Sequence, residues 1–201
     1  MSQLKIVAAF LISHLCLELK AQSFQENCPA DLQVKKGEKP KFMVAPGYGY
    51  TRMDGISVSL ANIRAGMILQ DKFTFGGFYS FSLNEIVPQS ETLPDTHMDF
   101  RSYGGFVEYT LSPTDRIHFT FPLFIGRGEV EMDNDEGGAG LGEEGFFLLE
   151  PGALLEINLY KNVRFNLGAT YRFIGDMNYR NMSQRDISGL TGQVGLKFLI
   201  F

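Results

Sequence analysis

The sequence predicts an all-β fold: an eight-stranded antiparallel up-and-down transmembrane β-barrel. Three observations predict it. Apolar and polar residues alternate with a period of two through most of the chain. Short and long connections alternate between the alternating stretches. The two faces of those stretches differ in chemistry in a way that suits lipid on one side and a packed polar lumen on the other.

The clearest stretch is FFLLEPGALLEINLYKNVRFNLGATYRFI, residues 146–174. It reads as two strands joined at Tyr160-Lys161-Asn162. In the second, Val163, Phe165, Leu167, Ala169, Tyr171 and Phe173 share one face, and Arg164, Asn166, Gly168, Thr170 and Arg172 share the other. Side chains that alternate sides are what a strand between two different surroundings requires, and a helix would mix them. Eight such stretches are expected, at 42–51, 58–69, 73–83, 99–111, 116–127, 146–159, 163–174 and 189–201. Three connections are short: Gln70-Asp71-Lys72, Ser112-Pro113-Thr114-Asp115 and Tyr160 to Asn162. Proline at the second position suits the middle one to a turn. Four are longer, at about 52–57, 84–98, 128–145 and 175–188. Antiparallel neighbours put alternate connections at opposite ends, so one end carries tight turns and the other long loops, as membrane barrels do. Strands of this length suffice to cross a bilayer at a tilt, which takes roughly 9–11 residues.

Residues 1–21 have the pattern of a signal peptide: Lys5, an apolar run from Val7 to Leu17, and Leu19-Lys20-Ala21 as a cleavage site. Leu15 stands where a lipoprotein signal needs a small residue, which argues against lipidation at Cys16. Residues 22–41, polar with two prolines and four lysines, are expected to form a mobile periplasmic leader, and 42–201 the barrel. After Ala21 the only cysteine is Cys28, so no intrachain disulfide is expected. Removing Lys5, Lys20 and Glu18 from 18 basic and 23 acidic residues leaves a net charge of -6. That argues against nucleic acid as a partner, since phosphate binding needs a basic face.

A soluble secreted carrier of the lipocalin kind would also alternate, with its apolar face inward. Two features favour the opposite orientation. The polar face is rich in Gly, Ser, Thr and Asn and poor in lysine, unlike a strand face in water. The 18 Phe and 8 Tyr would also overfill the lumen of an eight-stranded barrel. The polar face then puts Arg64, Arg164 and Arg172 inside with Glu108, Glu150 and Glu156. Unpaired charges there cost several kcal/mol each, so a paired network is expected. Whether Lys197 joins them depends on the register of the last strand.

The signal peptide, the alternating strands and the terminal strand GLTGQVGLKFLIF look like small bacterial outer-membrane β-barrel proteins of the OmpA/OmpX-like kind. The hairpin at 146–174 with DISGLTGQVGLKF is similar to an uncharacterised family of such barrels from Bacteroidetes-type bacteria. The resemblance implies a Gram-negative outer membrane as the location and its lipid as the surroundings. It also implies Phe201 as the aromatic end read by the outer-membrane insertion machinery.

No cofactor and no catalytic or metal site is expected. Glu150 and Glu156 lie six residues apart on one strand, about 20 Å at ~3.3 Å per residue, too far for a carboxylate pair in glycoside hydrolysis. Asp133, Asp135 and Glu136 offer oxygens but lack the glycine and the closing glutamate of a calcium loop. A lipid-modifying enzyme is the alternative reading, with His97 beside Ser90 or Ser102 as its nearest approach to a catalytic pair. The expected role is structural, or a surface interaction through the loops at 84–98 and 128–145 with an extracellular partner.

Overall fold

The computed structural model describes residues 41–88, 96–134, 142–179 and 182–200. The expected signal peptide, nearly all of the leader, Cys28, Ser90, Asp135, Glu136 and Phe201 lie outside them. Eight strands form the barrel: β1 (Lys41–Met53), β2 (Ile56–Leu69), β3 (Phe73–Ser82), β4 (Thr96–Leu111), β5 (Ile117–Asn134), β6 (Gly142–Tyr160), β7 (Val163–Ile174) and β10 (Gly189–Ile200). They close one antiparallel sheet in the order β1-β10-β7-β6-β5-β4-β3-β2. Closure leaves no sheet edge, so every strand finds partners on both sides.

The period-two pattern turns apolar groups outward, as the composition of the two faces implies. Phe75, Leu167 and Phe173 are exposed on the outer wall, whereas Glu156 is fully buried inside. On β5 the outward residues Ile117, Phe119, Phe121, Leu123 and Ile125 form a nine-residue apolar span. That matches the roughly 9–11 residues a tilted strand needs to cross a bilayer.

The structure corrects three expectations. The connection at 52–57 is not a long loop: β1 and β2 meet through Asp54-Gly55 alone, with φ of 46° and 77°. Two left-handed residues make the tight hairpin turn whose twist matches its strands, and Asp-Gly is its usual sequence. The connection at 128–145 is mostly strand, because β5 continues to Asn134 and β6 begins at Gly142. Likewise β4 already begins at Thr96, within the expected loop at 84–98. The expected loop at 175–188 contains a two-stranded ribbon, β8 (Asn178–Tyr179) with β9 (Met182–Ser183), and one turn of helix, α1 (Gln184–Ile187).

The cause of the second correction is a reversal of chemistry along the strands. Beyond Ile125 the outward residues of β5 become Arg127, Glu129 and Glu131, while inward Val130 and Met132 are fully buried. Alternation continues, but its sense reverses: charged groups now lie outside, as a surface in water requires, and the apolar set lies inside. There Met53, Val58, Leu60, Met98, Phe100 and Phe146 join Met177, Met182 and Ile187 in one apolar cluster at the long-loop end. A second cluster, including Met43, Ile68, Phe106, Phe124, Leu148 and Leu199, packs lower in the lumen.

The described residues after β7 pack onto the long-loop end of the barrel. Gln184 Nε2 donates to the Ile174 carbonyl at 2.6 Å, and Asp54 N to the Asp186 carbonyl at 2.7 Å. Asp186 also accepts from Ser183 N and Oγ, at 2.7 and 2.8 Å, fixing the start of α1. Ile187 is thereby held, fully buried, in the apolar cluster.

Candidate functional site

The barrel interior is where charged side chains converge. β2, β4, β6 and β7 turn their even-numbered residues inward, and β10 its odd-numbered ones. All six residues expected in the lumen therefore face it, in two separate groups.

The lower group lies near the short turns. Arg64 donates to Glu108 at 3.1 Å. Lys197 donates to the other oxygen of Glu108 at 2.5 Å and also contacts Glu156. Arg164 reaches Glu156 at 3.5 Å. His118 donates from Nδ1 to the Asp115 carbonyl at 3.1 Å and sets Nε2 3.2 Å from Glu156. Lys197 is 1% exposed, which settles the register of the last strand: Leu196, Phe198 and Ile200 face outward and Lys197 inward. Lys197 thus ties the two carboxylates together. Its alternation with Thr191, Gln193 and Gly195 is the signal the sequence offers for this placement.

The upper group holds Glu150 and Arg172. Glu150 accepts from Thr170 and lies 3.7 Å from Arg172 Nε. Arg172 also donates to Thr191 Oγ1 at 3.0 Å and stands 4.7 Å over the Phe100 ring, beneath the apolar cluster. Gln193 donates to Thr170 at 2.9 Å. Glu150 and Glu156 share no partner among the described residues. A cavity of about 30 Å³ lies between the groups, lined by Arg64, Ser102, Glu150, Arg172 and Gln193 among others. Space of that size holds two or three water molecules, at roughly 10–15 Å³ each.

Of the two alternative catalytic pairs, the one with Ser90 lies outside the described residues, and the one with Ser102 is not assembled. His97 and Ser102 have opposite parity on β4, and Ser102 is buried inside. Asp133 lies on β5 rather than in a loop. Among the described residues, no group of three or more His, Cys, Asp or Glu is placed to hold a metal ion.

A charged ladder on the outer wall has no counterpart in the sequence reading, because its partners Glu129, Glu131 and Glu143 occupy strand that reads as loop. Across β4, β5 and β6 the outward residues fall into rows. Tyr103, Arg127 and Phe147 form the lowest, Arg101, Glu129 and Gly145 the next, and Asp99, Glu131 and Glu143 the highest. Arg101 donates to Glu129 at 2.7 Å and lies 3.2 Å from Glu143 and 3.6 Å from Glu131. Tyr103 donates to Glu129 at 2.6 Å. That hydrogen bond, then the one from Arg101, lowers the Glu129 carboxyl below the usual carboxylate range. The tyrosine row marks the upper edge of the apolar belt, where amphipathic rings settle in membrane barrels.

No family model matches the chain, and no curated protein matches it. Solved structures do. Neisserial surface protein A (NspA) is similar at 15% identity and a TM-score of 0.59, covering 79% of this chain and 96% of that one. A major outer membrane protein from Thermus thermophilus is similar at 8% identity and a TM-score of 0.56, covering 81% and 100%. Ail of Yersinia pestis, solved in complex with the heparin analogue sucrose octasulfate, is similar at 13% identity and a TM-score of 0.53, covering 80% and 97%. At these identities the likeness is one of fold: a closed eight-stranded barrel of the outer-membrane type.

Proposed function

We propose that this outer-membrane β-barrel is a sealed, non-catalytic scaffold that presents its long-loop end to the surroundings. The observation that supports the reading is the set of side chains packed inside the barrel. Salt-bridged side chains occupy its lower half and an apolar cluster its upper end, with a cavity of about 30 Å³ between. Solute passage would have to break buried ion pairs, and breaking one such pair costs about 3–5 kcal/mol. The outward apolar belt suits surrounding lipid, and a soluble carrier would need the opposite orientation. The separation of His97 from Ser102 speaks against the lipid-modifying alternative.

The described part of the presented end is acidic on its outer face, with Asp99, Glu129, Glu131 and Glu143 against Arg101 and Arg127. That charge favours a neutral or cationic extracellular partner over a polyanion of the kind bound to Ail. Recognition of the last strand by the insertion machinery belongs to the same proposal: outward Phe198 and Ile200 lead to Phe201.

The test is single-channel recording of the purified full chain in planar bilayers, paired with vesicle swelling. The expected result is no conductance steps and no sugar uptake above protein-free controls. Steady conductance from the wild-type chain would refute the sealed interior.

A further inference from the structure

A groove opens on the outer wall where β3 ends at Ser82 while β4 continues to Thr96. Its volume is about 210 Å³, and its lining includes Tyr79, Phe81, Asp99, Arg101 and Glu131. Tyr79 and Phe81, with ring centroids 5.9 Å apart, form the lower wall and continue the apolar belt. Carboxylates form the upper wall.

The charge there is unbalanced. Asp99, Glu131 and Glu143 stand in register across three neighbouring strands. Like charges placed directly opposite destabilise a sheet. Arg101 is already shared among Glu129, Glu131 and Glu143. The exposed Asp99 carboxylate has no ion pair among the described residues. An incoming phosphate would meet this excess of negative charge, with the nearest guanidinium already taken. An ammonium group would meet carboxylates as hydrogen-bond acceptors and ring faces that attract cations. Below Tyr79, past a small-residue step at Gly77 and Gly105, the outer face continues with Phe75 and Val107, so the fitting ligand carries apolar chains below its amine.

We propose that this groove binds the ammonium group of an amine-bearing lipid, its acyl chains lying against Tyr79, Phe81 and the belt below. The proposal rests on the belt facing lipid.

The test is native mass spectrometry of the folded full chain, released from detergent after incubation with phosphatidylethanolamine or phosphatidylglycerol of matched chains. Wild-type protein is expected to retain the ethanolamine lipid about tenfold more, the ratio that corresponds to ~1.4 kcal/mol. The double variant Asp99→Asn, Glu131→Gln should fall to the phosphatidylglycerol level, and Tyr79→Leu should lose most of the preference. Equal retention of both lipids, or retention unchanged in the double variant, overturns the proposal. So does phosphatidylglycerol binding that rises to the same level with magnesium and vanishes with chelator, which would assign the carboxylates to a divalent cation. Free spermine that binds the chain and displaces the lipid equally well would make this a soluble-amine site instead. Insertion into vesicles, scored on the same preparations, keeps the two readings apart. A chain that inserts but shows no preference refutes only this site, whereas failure to insert refutes the lipid-facing belt.

Discussion

Lys197 sits at the centre of the lower ionic group, because one ammonium serves both Glu108 and Glu156. Glu156 in turn faces three basic side chains, Lys197, His118 and Arg164. Glu156→Gln is expected to destabilise the barrel by about 3–5 kcal/mol, since it strands buried cations. Lys197→Met should cost less, because Glu108 keeps Arg64 and Glu156 keeps Arg164 and His118. Urea unfolding in lipid vesicles measures both, and an equal cost would argue against this division. Outside the belt, Glu129 predicts a pH effect. Its folded carboxyl is lowered by Tyr103 and Arg101, so its stabilising contribution is full above the unfolded value, about 4.3. That contribution fades as pH falls through the lowered folded value. The stability gap between wild type and Glu129→Gln should therefore be constant from about pH 8 to 5 and shrink below about pH 4.

The strands themselves depend on close backbone approach inside a narrow barrel. Gly104 and Gly126 face each other on β4 and β5. A Cβ on Gly126 would lie 2.1 Å from the Tyr103 carbonyl oxygen, and one on Gly104 2.3 Å from that of Ile125. Neither backbone atom can move without breaking the ladder, so Gly126→Ala should cost about 1–3 kcal/mol. Gly77→Ala, whose nearest contact would be at 3.6 Å, is the near-neutral control. The folded fraction recovered after refolding into detergent would separate the two variants.

At the scale of the molecule, the lumen holds two kinds of packing in series: an ionic group near the short turns and an apolar cluster under α1. The closed sheet gives each of its eight strands a partner on both sides, as hydrocarbon surroundings demand of backbone groups. The wild-type chain is accordingly expected to migrate as a compact species in detergent gels without heating and to shift on boiling. Identical migration under both conditions would contradict a closed barrel.

The sequence alone determined the strand number, the antiparallel order and the outward belt, because a period of two between lipid and a packed lumen leaves its mark residue by residue. It also placed Arg64, Glu108, Glu150, Glu156, Arg164 and Arg172 on the inner face. Only the tertiary structure decided which of them meet, since pairing depends on relative strand heights around a closed sheet. It alone showed Lys197 as the bridge between Glu108 and Glu156. It also decided where the belt ends. Past Ile125 the alternation persists while its sense reverses, and a one-dimensional pattern does not say which solvent lies on which side. That ambiguity made Glu129, Glu131 and Glu143, the carboxylates of the charged ladder on β5 and β6, read as loop, and it hid the groove beside Tyr79 and Asp99.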